Sequence, residues 1–279
     1  METFEAPDGT RLVYQLVGEG PPLVVLPGGP MQDCGYLGDL GGLSARRTLV
    51  LLDPRGTGRS DVPDDPATYR CDRQVGDVAA LRRHLGLDRL DLAGHSAGGT
   101  LALLYAVRHP DRVGRLALVT PSPRALGVDV LDADRRALAE QRRGEPWFAD
   151  AFAAFERIWA GTATEADWAA ITPFSYGRWD DDTREHSARG ESARNDEAAA
   201  RYYAPGAFDP GDVRSTVARL DAPVLVVAGG WDVGLPPVRA ADCARLFPRG
   251  EVVVVPGAGH CPWLDDPGAF VAALAGFLD

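Results

Sequence analysis

Short apolar runs of four to six residues alternate along this chain with stretches whose apolar positions recur at helical spacing. Residues 3–6 and 11–16 flank an Asp8-Gly9 turn, which is the pattern of a β-hairpin. Residues 23–26 and 48–52 are apolar without alternation, as strands buried on both faces are. Val75, Val78, Leu81 and Leu85 predict a helix over 74–85; a strand over 90–93, a helix over 100–108 ended by Pro110, and a strand over 116–119 follow. Much later the rhythm returns, with strands over 224–228 and 251–255 and helices over 238–246 and 269–278. Eight strands interleaved with helices predict an α/β fold: a mostly parallel eight-stranded sheet with helices on both faces and an antiparallel hairpin at one edge.

Residues 121–204 break the alternation, being charged and aromatic with no strand pattern. The stretch is too long for a plain connection. The expected organisation is a core of residues 1–120 and 205–279 carrying a helical cap inserted as 121–204. A chain of 279 residues suffices for one such core. A net charge of -11 repels phosphate backbones and anionic lipid, so neither nucleic acid nor membrane is an expected partner. The first dozen residues carry Glu2, Glu5 and Asp8 and no apolar stretch, and a cytoplasmic location is expected. The oligomeric state has no signature in the sequence.

All 29 basic residues are arginine. Without lysine there is no Schiff base and no P-loop lysine for a nucleotide. Cys34, Cys71, Cys243 and Cys261 are scattered and not interleaved with histidine, so no disulfide framework and no metal site are indicated. No cofactor is expected.

The chemistry concentrates where the strand at 90–93 runs into Gly94-His95-Ser96-Ala97-Gly98-Gly99 and then a helix. G-x-S-x-G alone is modest; its strand-turn-helix setting makes it specific, because a sharp turn lifts the serine hydroxyl clear of the sheet. The same turn aims the Ala97 N–H at whatever Ser96 attacks. A serine needs a base and an orienting carboxylate. Of the five histidines, His84 and His109 close helices, His95 lies inside the turn pointing away from Ser96, and His186 lies in the charged insertion. His260, in Gly257-Ala258-Gly259-His260-Cys261 after the last strand, is left as the base, and Asp232, in Gly229-Gly230-Trp231-Asp232 after the preceding strand, as the acid. A turn serine, a helix-capping aspartate and a loop histidine are the plainer roles each could have instead. The order Ser96, Asp232, His260 is the one that strand-to-helix serine hydrolases use.

With these residues in view, the sequence resembles the α/β-hydrolase superfamily and, within it, the prolyl iminopeptidase group. That group carries H-G-G-P-G after the third strand, here Pro27-Gly28-Gly29-Pro30-Met31, and D-x-R-G-x-G-x-S after the fourth, here complete from Asp53 to Ser60. The resemblance implies a second oxyanion donor from the first loop, assigned to the Gly29 N–H. Family aminopeptidases hold the substrate amine with glutamates of the cap, one in a stretch resembling E-N-H-Y-F. The local match here is Ala199 to Gly206, with alanine in the glutamate's place; Asp196 or Glu197 are the available substitutes.

Trp147, Trp159, Trp168 and Trp179 lie in the insertion with Phe148, Phe152, Phe155, Phe174 and Tyr176, while Trp231 and Trp263 flank Asp232 and His260. Some of these are expected to roof an apolar pocket and the others to pack. Asp180, Asp181 and Asp182 are expected to form a solvated turn, and Cys261 to pack near enough to His260 to report on it when alkylated. The expected activity is hydrolysis of a small ester, lactone or amide with an apolar acyl part, through an acyl-enzyme. N-terminal aminopeptidase activity on short peptides and a non-catalytic ligand receptor on the same fold stay open as alternatives.

Overall fold

The computed structural model describes residues 1–279. Its strands are β1 (Glu2–Glu5), β2 (Arg11–Val17), β3 (Pro22–Leu26), β4 (Thr48–Asp53), β5 (Leu90–His95), β6 (Val113–Val119), β7 (Val224–Gly229) and β8 (Gly250–Val255). They form one eight-stranded sheet in the order β1-β2-β4-β3-β5-β6-β7-β8. β2 pairs antiparallel with both β1 and β4, and the pairings from β4 through to β8 are parallel. The α/β expectation and the edge hairpin therefore both hold.

Eleven helices accompany the sheet: α1 (Cys71–His84), α2 (Ala97–Arg108), α3 (Asp132–Ala139), α4 (Phe148–Trp159), α5 (Glu165–Ala170), α6 (Asp181–Ser192), α7 (Asp196–Tyr202), α8 (Pro210–Val217), α9 (Pro237–Ala244), α10 (Pro262–Asp265) and α11 (Pro267–Leu278). Alternate residues of each strand point to opposite faces, which divides the core into two layers. Val24, Leu26, Leu92, Leu116 and Val226 pack with α1, α2, α8 and α9 on one side. Leu23, Val25, Ala93, Ala117 and Leu225 pack with Phe270, Leu274 and Leu278 of α11 on the other. This two-sided burial is why those strands read as unbroken apolar runs.

Between β6 and β7 the chain forms helices and turns and adds no strand to the sheet. Leu138, Phe148, Phe155 and Phe174 make a small apolar cluster there with Val233. α8 has no counterpart among the helices expected from apolar spacing. Its signal was present: Asp209 accepts a hydrogen bond from the Asp212 N–H, Pro210 fills the first turn, and Val213 and Val217 face the core. No helix is long and apolar enough to cross a membrane.

One buried ion network fixes the loop after β4 to α1 and to the hairpin turn. Arg55 donates to both oxygens of Asp77 on α1, at 2.8 and 2.5 Å, and to Asp8 of the hairpin turn at 2.6 Å. The Arg55 and Asp77 side chains are only 2% and 3% exposed. Removing one partner strands a charge in the interior, so Arg55→Met should cost about 3–5 kcal/mol in urea unfolding, whereas the double variant Arg55→Met/Asp77→Leu should lose distinctly less.

Candidate active site

Ser96 follows β5 directly and precedes α2, with φ +52° and ψ −117°, a backbone region that side chains rarely occupy. The crossing around it is tight. A Cβ on Gly94 would come within 2.5 Å of the Gly98 carbonyl oxygen, and one on Gly98 within 2.3 Å of the Leu26 carbonyl oxygen. The Ser96 N–H is held by the Val119 carbonyl at 3.0 Å, and its own carbonyl accepts from Gly99 and Ser122, both at 3.0 Å. The turn is thus tied to β6 on one side and to α2 on the other.

Asp232 and His260 come together. Nδ1 of His260 donates to Asp232 Oδ2 at 2.8 Å, while Oδ1 accepts from the Gly234 N–H at 2.8 Å. Asp232 is 1% exposed. Nδ1 carries the proton in that bond, which leaves Nε2 of the neutral ring as an acceptor. Burial depresses the His260 pKa, and the Asp232 charge and hydrogen bond more than offset it, so the pKa stands above the ordinary 6.5. The Ser96 hydroxyl makes no side-chain hydrogen bond to His260, whose ring is bonded through Nδ1 alone.

His95 does more than the sequence reading assigned to it. Its Nε2–H donates to the His260 carbonyl at 2.9 Å, and its Nδ1 accepts from Tyr36 Oη at 2.6 Å. Tyr36 Oη in turn accepts from the Gly28 N–H at 2.7 Å. Each atom of this chain is satisfied only if His95 is the neutral Nε2–H tautomer. Burial first, and the neighbouring His260 second, hold the His95 pKa well below 6.5. The Thr120 hydroxyl donates to the same His260 carbonyl at 2.8 Å. The network joins the Gly28-Gly29 loop, the serine turn and the histidine loop, and no spacing in the sequence announces it. Tyr202 of α7 adds a further tie by donating to the Ala97 carbonyl at 2.9 Å.

The N–H groups of Gly29 and Ala97 have no acceptor among the backbone hydrogen bonds, and both residues line a cavity of about 560 Å³ together with Ser96. Gly28 packs so closely that a Cβ on it would sit 2.9 Å from Ser96 Cβ. Free N–H donors beside a half-buried hydroxyl that opens on a cavity suit a developing negative charge. Pro30, Ser122, Arg124, Ala199, Ala200 and Tyr203 complete much of the wall. A second cavity of about 510 Å³ is lined by Asp232 and His260 and by Phe155, Ile158, Trp159, Trp168 and Ile171. Arg124 lines both.

The aromatic residues divide as follows. Phe155, Trp159 and Trp168 face the second cavity, while Trp147 packs edge-on to Phe174 and Trp263 edge-on to His95. Asp196 lines the first cavity, but its carboxylate is paired with Arg194 at 2.6 Å; Glu197 is exposed and lies 3.5 Å from Arg201. Asp180 caps α6 by accepting from the Thr183 N–H, which makes the acidic run a helix start instead of a plain solvated turn. The expectation that Cys261 reports on the site by alkylation needs correcting: its thiol is 6% exposed, and burial, with Asp265 and Asp232 behind it, pushes its pKa well above the ordinary value. No group of three or more His, Cys, Asp or Glu side chains is arranged to hold a metal ion.

A family profile described as alpha/beta hydrolase fold matches residues 21–267. A proline iminopeptidase of Heyndrickxia coagulans is 26% identical over 301 residues, spanning 100% of this chain and 98% of its own length. A putative 2-succinyl-6-hydroxy-2,4-cyclohexadiene-1-carboxylate synthase of Bacillus subtilis (strain 168) is 29% identical, covering 97% of this chain and 96% of its own. Among solved structures, the proline iminopeptidase of Mycobacterium smegmatis superposes with a TM-score of 0.73 at 28% identity, over 99% of this chain and 97% of its own.

Two expected outcomes follow from the geometry. Tyr36→Phe leaves the Gly28 N–H and His95 Nδ1 without their partner and should cost roughly 1–3 kcal/mol in urea unfolding. All four cysteines are buried, so a thiol-reactive chromogen should titrate none of them in the native protein and all four in denaturant.

Proposed function

The chain belongs to the α/β-hydrolase fold family, and on that premise we propose that it is a serine hydrolase that cleaves a small ester, lactone or amide through an acyl-enzyme. Ser96 Oγ attacks the substrate carbonyl carbon while His260 Nε2 takes the hydroxyl proton. Asp232 holds the ring in the Nδ1–H tautomer and stabilises the imidazolium that forms. The N–H groups of Gly29 and Ala97 stabilise the oxyanion of the tetrahedral intermediate. Collapse expels the leaving group, which takes its proton from His260. Water then attacks the acyl carbon, His260 accepts the water proton, and the acid departs as Ser96 regains its own. Side chains and backbone supply every role, so the reaction draws on no cofactor or metal.

The observation that carries this reading is the left-handed Ser96 turn beside two unclaimed N–H groups, with the Asp232–His260 pair bonded through its loop carbonyl to His95, the residue before the serine. The serine–histidine hydrogen bond is absent from the structure; catalytic bonds of this kind tighten when substrate is bound. In this reading residues 121–204 act as a cap over the core of 1–120 and 205–279. The wall of Phe155, Ile158, Trp159, Trp168 and Ile171 suits an apolar substrate group.

The aminopeptidase reading is favoured by the proline iminopeptidase relatives. Against it stands the chemistry of the cavity wall. Ala199 and Ala200 offer no carboxylate, and Asp196 is already engaged by Arg194, so a protonated substrate amine meets no unpaired anion there. A small-molecule ester is the better fit.

A fluorophosphonate should label the unaltered protein and not Ser96→Ala. Short aryl esters should turn over faster than amino-acid arylamides; cleavage confined to arylamides with a free amine would establish the aminopeptidase instead, and tight ligand binding without labelling or turnover would establish a receptor. Since the base must be neutral and its pKa is raised, kcat/KM for the ester should fall with decreasing pH through a midpoint above 6.5. Asp232→Asn should lower that midpoint and reduce kcat on the order of 10⁴-fold.

A further inference from the structure

Three arginines line the two cavities, and two of them are matched by carboxylates. Arg194 is paired with Asp196 at 2.6 Å and Arg135 with Asp132 at 3.7 Å. Arg124 lines both cavities and takes part in no ion pair, although the chain holds 40 acidic residues against 29 basic ones. It stands on the short turn Pro123–Leu126 just beyond β6, and its guanidinium carbon lies 5.2 Å from the Tyr203 ring centre. The ring steadies the guanidinium from one side and leaves its donors unspent. Arg124 lines the same space as Ser96 and as Gly29 and Ala97, whose N–H groups are free.

Resting on the serine-hydrolase reading, we infer that Arg124 binds a carboxylate carried on the acyl part of the substrate. A guanidinium presents a planar fork that matches a carboxylate with two parallel hydrogen bonds, a geometry that a neutral acyl chain leaves unused. The acyl carbon becomes bonded to Ser96, in the cavity that Arg124 walls, so a carboxylate on that side stays paired through both half-reactions. Methylenes between the two ends suit the apolar surface of Pro30, Ala199 and Ala200. The unpaired charge thereby turns a general ester site into one that selects anionic acyl groups.

The test compares two p-nitrophenyl esters of equal chain length, the hemiglutarate with a terminal carboxylate and the neutral pentanoate, by the ratio of their kcat/KM values. In the unaltered enzyme the ratio should favour the hemiglutarate by roughly tenfold or more and shrink as salt is added. Arg124→Gln should bring the ratio near one, and Arg124→Lys, which keeps the charge, should retain part of the preference. Arg124 is exposed, so these variants should fold, which thermal unfolding checks. A wild-type preference for the pentanoate, or a ratio that Arg124→Gln leaves unchanged, overturns the carboxylate subsite while fluorophosphonate labelling of Ser96 persists. Absence of labelling overturns the serine nucleophile itself and this inference with it.

Discussion

The organisation of the site depends on a backbone crossing that has no room for side chains. β5 enters and α2 leaves so close to the end of β3 that the Gly98 position abuts the Leu26 carbonyl, and Ser96 between them is held in a left-handed conformation. Such a conformation costs on the order of 1–3 kcal/mol and persists only where surrounding structure over-determines it. Here the surrounding structure is the parallel sheet, through the Val119 carbonyl on the Ser96 N–H and the Leu26–Gly94 register of β3 and β5. The strain and the exposure of the hydroxyl are one fact seen from two sides.

Around that crossing, polar side chains do what the sheet cannot, which is to hold loops in place relative to each other. Tyr36 and His95 connect the Gly28 amide with the His260 carbonyl in a line of three hydrogen bonds, each with one possible direction. Asn195, before α7, donates to the Gly56 carbonyl at 2.8 Å and its N–H is bonded to the Met31 carbonyl at 2.9 Å. The helices between β6 and β7 are thereby fastened to the two loops whose motifs carry the family resemblance. Buried networks of this kind gain from the low dielectric when every atom has a partner. The D-x-R-G loop contributes structure: Asp53 accepts from the Cys34 and Arg59 N–H groups, and Arg55 is spent on Asp77 and Asp8.

Much of this was legible in the sequence, for identifiable reasons. Strands buried on both faces leave long apolar runs, and turns that demand glycine leave glycine pairs, so the eight strands and the serine turn announce themselves locally. The meeting of Asp232 and His260 was legible because both follow consecutive parallel strands and so emerge at one edge of the sheet. The contacts of Tyr36, His95, Tyr202 and Arg124 have no such local cause. Tyr36 lies 59 residues from His95, and the two meet only because loops after different strands converge. Helix limits shifted for similar reasons: α2 begins at Ala97, since the tight turn and not the apolar spacing sets its start.

The His260 carbonyl is gripped by two side chains, His95 from the end of β5 and Thr120 from the end of β6, and its N–H by the Ser175 carbonyl at 2.7 Å. Three anchors on the two peptide units that flank its Cα make a fixed pivot. The main chain under the imidazole is thereby set like the post of a gate, and the ring's own two side-chain bonds, with the Asp232 bond at Nδ1, decide where Nε2 points.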